Sequence, residues 1–419
     1  MGMEVSRSDY IKRLSSKRGN GLVKIVTGVR RCGKSYLLFN LFRKHLIAEG
    51  VPDNHIISLA LDDYANKRFL NPDELYNYVR GRITDSSPYI ILLDEIQLVP
   101  EFESVLNGFL RIPNADVFVT GSNSKFLSSD IITEFRGRGD QIKVYPFTFA
   151  EVCSVSDKGA DDVWREYVRY GGMPLAVLAG TYEEKEEYLK NLFDQVYISD
   201  IVNRHHLRGR DEMGELVNIL ASSIGSLANP LRLSNTFESE RKIKLSQFTI
   251  SSYIDYLEDS FLISKAHRYD VKGKKYIGTP LKYYFTDVGL RNARLGFRQQ
   301  EENHIMENVI YNELLHRGFS VDVGVVPVQE SDALGKQVRK QLEVDFVANK
   351  GSQRYYIQSA FEISSKEKMQ QETYSFRNIS DSFKKIIIQR QAVIPWHNEQ
   401  GILNIGLFDF LLNPGSIDL

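Results

Sequence analysis

The feature that most constrains this chain is a glycine-bounded loop, Gly28-Val29-Arg30-Arg31-Cys32-Gly33-Lys34-Ser35, set between segments of different hydrophobic period. Before it, 22–27 is a β-branched run that reads as a short buried strand. After it, Leu37, Leu38, Leu41, Phe42 and Leu46 recur at helical spacing. Strand, loop and helix in that order make a βα unit of a parallel sheet. The glycines let backbone N–H groups converge on an anion, and the helix points its positive end at it. In such a loop Lys34 reaches the β- and γ-phosphates and the Ser35 hydroxyl ligates Mg²⁺. The pattern predicts an ATP cradle made by Gly28, Val29, Arg30, Arg31, Cys32, Gly33, Lys34, Ser35 and Tyr36. Cys32 lies near a helix N-terminus, where a lowered thiol pKa and shielding from alkylation by nucleotide are expected.

Downstream, strand-like His55–Leu61, Tyr89–Leu93 and Ala115–Thr120 alternate with helical segments near Asp73 and over Phe102–Leu110. Nearly continuous apolar strands between helices predict a buried parallel sheet with helices on both faces. The strand 90–93 delivers Asp94 and Glu95 at its carboxyl edge, where open α/β sheets bind ligands. Asp94 is expected to hold Mg²⁺ and Glu95 to act as general base toward the attacking water. The plainer alternative is an acidic helix cap. After Thr120, Asn123 (with Ser122 close behind) is the candidate for sensing the γ-phosphate, against a loop-capping role. Arg136 and Arg138 are candidates to stabilise transition-state charge, in cis or from a neighbouring subunit, against a solvated basic turn.

A chain of 419 residues exceeds one core, and four segments are expected: 1–150, 151–220, 221–298 and 299–419. A net charge of -1 gives no general argument for nucleic acid. Two cysteines, no secretory h-region and no long apolar run point to a cytoplasmic chain without a membrane span. Residues 161–220 read as helices broken at Tyr170-Gly171-Gly172-Met173-Pro174. Ile250–Leu262 reads as a helix capped by Ser246 or Thr249, followed by the basic Lys272-Gly273-Lys274-Lys275 turn and a strand at Lys282–Thr286. That succession is how a winged helix-turn-helix reads. It either presents Gln247, Ser251 and Ser252 to DNA or packs against protein, and Asp255, Glu258 and Asp259 on the same helix repel phosphate. His205-His206 reads as a surface pair rather than a metal site. Residues 300–419 read as a mixed α/β unit with a mobile polar loop at Gln329–Lys340.

The order Gly28–Ser35, Ile91-Leu92-Leu93-Asp94-Glu95-Ile96-Gln97, Thr120-Gly121-Ser122-Asn123, Arg136–Arg138 and Tyr170–Pro174 resembles the prokaryotic AAA+-type ATPases of the archaeal-ATPase-like group. The resemblance implies an AAA+-like ATPase, a winged-helix segment and a C-terminal domain similar to the PD-(D/E)xK nuclease fold. For that last fold, Glu307 and Glu313, then Asp345, then Gln358 fall in the expected order, and Glu307, Asp345 and Gln358 are the candidate second Mg²⁺ site. Ala360 stands where the catalytic lysine belongs, so an inactive domain reused for binding or assembly is expected. Three readings stay open: an ATPase that moves its C-terminal domains, a slow nucleotide-gated switch, and an ATP-regulated DNA nuclease. DNA and a second copy of the chain are the candidate partners.

Overall fold

The structure is a computed structural model that describes residues 4–121, 137–207, 209–299, 301–331 and 336–419. It divides into two compact units, Met1–Pro146 with Asp259–Phe261, and Phe147–Glu258 with Leu262–Leu419.

The first unit opens with helix α1 (Ser8–Ser16), strand β1 (Val23–Thr27) and the continuous helix α2 over 34–48. Strand β2 (Ile56–Ala60), helix α3 (Pro72–Arg82), strand β3 (Tyr89–Asp94), helix α4 (Phe102–Phe109), strand β4 (Ala115–Thr120) and strand β5 (Gly139–Lys143) follow. The five strands form one parallel sheet in the order β2-β3-β4-β1-β5. β1 and β3 are buried along their whole length, which is why their sequences, Lys24, Thr27 and Asp94 apart, are apolar without alternation. Leu75, Val79, Phe102, Leu106 and Phe109 from α3 and α4 pack with Val23, Ile25, Ile91, Leu93, Val117 and Val119 in one core. Asn71 caps α3 by accepting from the Asp73 and Glu74 amides, with Pro72 in the first turn. Because β4 lies between β1 and β3, the loop after Thr27, the end of β4 at Thr120 and the end of β3 at Asp94 share one edge of the sheet.

The second unit begins with helices α5 (Phe149–Cys153), α6 (Ala160–Tyr170), α7 (Pro174–Leu178), α8 (Tyr182–Asn191), α9 (Ser199–Arg204) and α10 (Arg210–Ser222). Helices α11 (Pro230–Thr236) and α12 (Gln247–Asp259), strands β6 (Ile263–Asp270) and β7 (Lys275–Phe285), and helices α13 (Val288–Arg294) and α14 (Glu302–His316) come next. Strands β8 (Ser320–Ser331), β9 (Gln337–Lys350) and β10 (Gln353–Ala360), helix α15 (Lys366–Arg377), strands β11 (Lys384–Gln389), β12 (Trp396–His397) and β13 (Leu403–Gly406), and helix α16 (Leu407–Leu412) complete it. Its sheet runs β12-β13-β11-β10-β9-β8-β6-β7. The β6–β7 hairpin therefore joins the C-terminal strands through the β6–β8 pairing, Arg268 against Val323, so one sheet crosses the boundary expected at 298–299. Of the polar stretch expected to be a mobile loop, 329–331 and 337–340 are instead paired strand, with Gln329 opposite Arg339 and Glu330 opposite Val338. Cross-strand pairing holds it where no apolar alternation announced a strand.

The Tyr170–Pro174 break has a mechanical reason. Gly171 has φ 70°, and a Cβ on Gly172 would stand 2.0 Å from the Phe147 carbonyl oxygen. That space lets the Gly172 N–H donate to the buried Asp287 carboxylate at 2.7 Å, while its other oxygen caps α13 through the Leu290 N–H at 2.9 Å. Burial raises the Asp287 carboxyl to about 6.

Candidate nucleotide site and the acidic cluster of the second unit

The loop from Gly28 to Gly33 folds with three residues at positive φ: Gly28 at 143°, Arg31 at 64° and Gly33 at 93°. A Cβ on Gly28 would meet the Val144 carbonyl oxygen at 2.1 Å, so only glycine passes there. The Lys34 ammonium, buried at the start of α2, donates back to the Gly28 and Val29 carbonyls at 3.0 and 3.1 Å. A cationic side chain folded over a glycine-rich turn at a helix N-terminus fits a polyphosphate. Arg7 braces this loop from behind. Its guanidinium donates to the Cys32 carbonyl at 3.1 Å and the Tyr145 carbonyl at 2.7 Å and lies over the Tyr10 ring. Cys32 is fully buried, with its Sγ 3.5 Å from the Val144 carbonyl oxygen, which corrects the expectation of a thiol that alkylates until nucleotide covers it. Val29 is buried, whereas Arg31, Ser35 and Tyr36 are exposed, with the Tyr36 hydroxyl donating to Glu4 at 3.2 Å.

Asp94 is the buried centre of the site. Its Oδ1 accepts from the Ser35 hydroxyl at 3.0 Å and from the Thr120 hydroxyl. Burial raises its pKa, against the lowering effect of those two bonds. A buried carboxylate beside a serine hydroxyl is a donor set that suits Mg²⁺. The Thr120 hydroxyl also accepts from the Glu95 N–H at 3.0 Å, so one side chain ties both acids to the end of β4. Thr120 escaped the sequence reading, which looked past the strand to its loop. A polar β-branched residue closing an otherwise apolar buried strand was the available signal. Glu95 takes a left-handed backbone conformation (φ 52°, ψ 45°), and its carboxylate accepts from the Gln97 side-chain amide.

The remaining candidates separate. Ser122, Asn123 and Arg136 lie outside the described residues. Arg138 immediately precedes β5, its carbonyl accepts from the Val23 N–H, and its guanidinium donates to Asn107 at 3.3 Å. That is the amino edge of the parallel sheet, about 13 Å along β1 from the phosphate loop at the usual rise per residue. Arg138 therefore does not serve the phosphate loop of its own chain.

In the second unit, Glu307 and Asp345 do come together, around a residue the sequence reading did not place there. The Lys282 ammonium from β7 lies 2.9 Å from Glu307, 2.7 Å from Glu343 and 3.9 Å from Asp345. The Tyr284 hydroxyl donates to Glu307 at 2.5 Å, and the Ser359 N–H donates to Asp345 at 2.8 Å. A bulge puts Asp345 and Phe346 opposite Val323 alone. Burial, with the charge of Glu307, raises the Asp345 pKa; burial lowers that of Lys282, but the three carboxylates outweigh it and raise the value. Gln358 keeps a buried Oε1 without a partner among the described residues. Glu313 is elsewhere, paired with Arg317 at 2.7 Å. Ala360 packs in the apolar core with Val344, Tyr356 and Phe376. Among the described residues no group of three His, Cys, Asp or Glu forms a metal cluster. His205 stacks on Tyr256 at 3.7 Å rather than facing a ligand. No helix of the described residues is long and apolar enough to cross a membrane.

Comparison with known proteins agrees with the first unit and adds little chemistry to the second. Residues 20–153 match an AAA domain, and residues 161–301 match a domain of unknown function. An uncharacterised protein of Haemophilus influenzae is 33% identical over 390 residues, covering 92% of this chain and 93% of that one. An uncharacterised protein of Methanocaldococcus jannaschii is 29% identical over 386 residues, covering 87% and 79%. Among solved structures, the Aeropyrum pernix ORC1 protein in complex with DNA is 13% identical, with a TM-score of 0.30 over 69% of this chain and 92% of that one. With its phosphate loop, paired acids and parallel sheet in place, the chain belongs to the same family as the Haemophilus protein and carries at its N-terminus an AAA domain of the P-loop ATPase type.

Proposed function

We propose that the first unit binds Mg-ATP and hydrolyses it, and that turnover changes the state of the C-terminal unit. The observation that carries this reading is the convergence on Asp94. Ser35 from the phosphate loop and Thr120 from β4 both donate to one buried carboxylate, directly after which comes Glu95. The backbone N–H groups of 28–35 and Lys34 would hold the phosphates, and Ser35 and Asp94 the Mg²⁺, which supplies charge neutralisation at the leaving phosphate. Lys34 would exchange its two loop carbonyls for phosphate oxygens. Glu95, held at the sheet edge by its bond to Thr120, would take the proton of the attacking water. Arg138 is exposed at the far edge of the sheet, so any arginine role for it belongs to a neighbouring copy. Equilibrium binding of ATP with and without Mg²⁺ tests the reading. Lys34→Ala should abolish binding, and unchanged affinity in that variant would remove the phosphate-cradle assignment. Turnover below about one ATP per minute with tight retention would favour a switch over a cycling ATPase.

A DNA-associated role for the second unit has its own support. α10, the Ala228–Leu281 bridge, α11, α12 and the β6–β7 hairpin succeed one another as in a winged helix-turn-helix. Ser246 caps α12 by accepting from the Thr249 N–H at 3.1 Å. Lys265 pairs with Asp255 and with Glu258 at 2.8 Å, which answers the repulsion expected from that helix. Gln247, Phe248, Lys272, Lys274 and Lys275 remain exposed. Binding to a DNA duplex that weakens with salt and with Lys274→Glu/Lys275→Glu supports this role; salt-independent binding refutes it. For the Glu307–Asp345 cluster we favour a nuclease-like frame reused for binding, because Lys282 already supplies the positive charge there.

A further inference from the structure

We infer that Gln97 is the positioning residue of the general base, fixing the Glu95 carboxylate for proton abstraction. The inference rests on the proposed hydrolysis and names a residue that reading does not require.

Four observations converge. Glu95 stands at the first position after β3 in a left-handed conformation, which costs a non-glycine residue about 1–2 kcal/mol and persists only where neighbours enforce it. The turn Ile96–Leu98 closes through the Leu98 N–H to the Glu95 carbonyl at 3.0 Å, and buried Ile96 anchors it. This turn brings Gln97 back over Glu95, and its Nε2 donates to Glu95 Oε2. The other end of the amide, Oε1, is buried and has no partner among the described residues. A buried acceptor without a partner costs about 1–3 kcal/mol, so this amide is not placed for stability. The amide orientation follows from chemistry, since its oxygen facing a carboxylate would be repelled.

A neutral amide also suits the task better than a cation. A lysine or arginine at this position would hold the carboxylate more strongly but would depress its basicity by full charge pairing. One neutral N–H fixes the rotamer and leaves a base able to accept a proton. Thr120 fixes the Glu95 backbone, and Gln97 fixes its side chain.

The test is steady-state ATP hydrolysis as a function of pH, with nucleotide affinity measured on the same full-length proteins. Gln97→Ala should lower kcat about 10- to 100-fold, the loss expected for one hydrogen bond to a charged group, and leave ATP affinity within about twofold. Gln97→Glu, nearly isosteric, sets a second carboxylate against the base and should move the acid limb of the rate profile to higher pH. Gln97 variants with the unmutated kcat and pH profile overturn the inference. So does a fall in kcat accompanied by an equal loss of ATP affinity and thermal stability, which marks a structural role. Glu95→Gln is run alongside: if it is inactive and the Gln97 variants are not, only this inference fails. A wild-type chain that does not hydrolyse ATP, or a Glu95→Gln variant with the unmutated rate, overturns both.

Discussion

Among the described residues, Lys282 is the cation paired with Glu307, Glu343 and Asp345, and replacing it by methionine keeps the stem while removing the charge. The lysine side chain is 4% exposed and those of Glu307 and Asp345 are 12% and 11%, so water reaches Glu343 (36%) but cannot take over the ammonium's role at the other two. Breaking a buried pair from one side costs about 3–5 kcal/mol. Unfolding entropy is about 2.1 cal/mol/K per residue, and the second unit has roughly 270 residues, so each kcal/mol is worth a little under 2 °C. Lys282→Met should therefore lower the Tm of that unit by about 5–9 °C at pH 8. Both tryptophans, Trp164 and Trp396, belong to the second unit, so tryptophan fluorescence during heating follows it selectively. The sign of the pH dependence is fixed. Without Lys282 the carboxylates hold their protons more tightly when folded, so stability is retained at low pH and lost as pH rises. The deficit should shrink at pH 5, and Lys282→Arg should show much less of it. A Lys282→Met protein with the unmutated Tm at pH 8, or a deficit of equal size at both pH values, refutes the charge argument.

Other consequences follow from single contacts. Thr120→Val removes the hydroxyl that donates to Asp94 and accepts from the Glu95 N–H; ATP turnover should fall about 10- to 100-fold, Thr120→Ser should recover most of it, and equal rates would dismiss the role. Arg7→Ala frees the Cys32 carbonyl behind the phosphate loop, so a fluorescent ATP analogue should bind several-fold more weakly, about 1 kcal/mol; unchanged affinity would show the brace is idle. Asp287 is raised from 3.8 to about 6 by burial, so its contribution is full below the unfolded value and is lost as pH rises through about 6, about 3 kcal/mol in all. Asp287→Asn should flatten that decline in the Tm–pH curve between pH 4 and 7, and an unaltered curve would contradict the assignment.

How much of this was legible in the sequence depended on burial. β1, β3 and β4 are central parallel strands, and their continuous apolar runs marked them almost to the residue. β5, Gly139-Asp140-Gln141-Ile142-Lys143, is an edge strand with one fully buried residue, and nothing in its pattern separates it from a loop. The start of β9 is exposed for the same reason. Among site residues, Lys34, Asp94 and Glu95 sit at fixed offsets from strand ends, so the chain order located them. Lys282 was missed because only the pairing of β6 with β8 carries the hairpin beside α14 and β9. Lys24 shows the same limit: nothing in the sequence marks this lysine as buried, yet it is wholly buried against Asp116 and lies over Phe118 at 4.9 Å. Arg7 holds a left-handed backbone with φ 47°, a conformation that no side-chain pattern encodes.

The central claim, that the first unit binds and hydrolyses ATP through Lys34, Asp94 and Glu95, is tested most directly by single-turnover hydrolysis of radiolabelled ATP by the full-length protein and Glu95→Gln. The account predicts Mg²⁺-dependent phosphate release by the wild type, and Glu95→Gln that binds ATP as tightly but releases phosphate at least about 100-fold more slowly. Equal rates for the two proteins would contradict it.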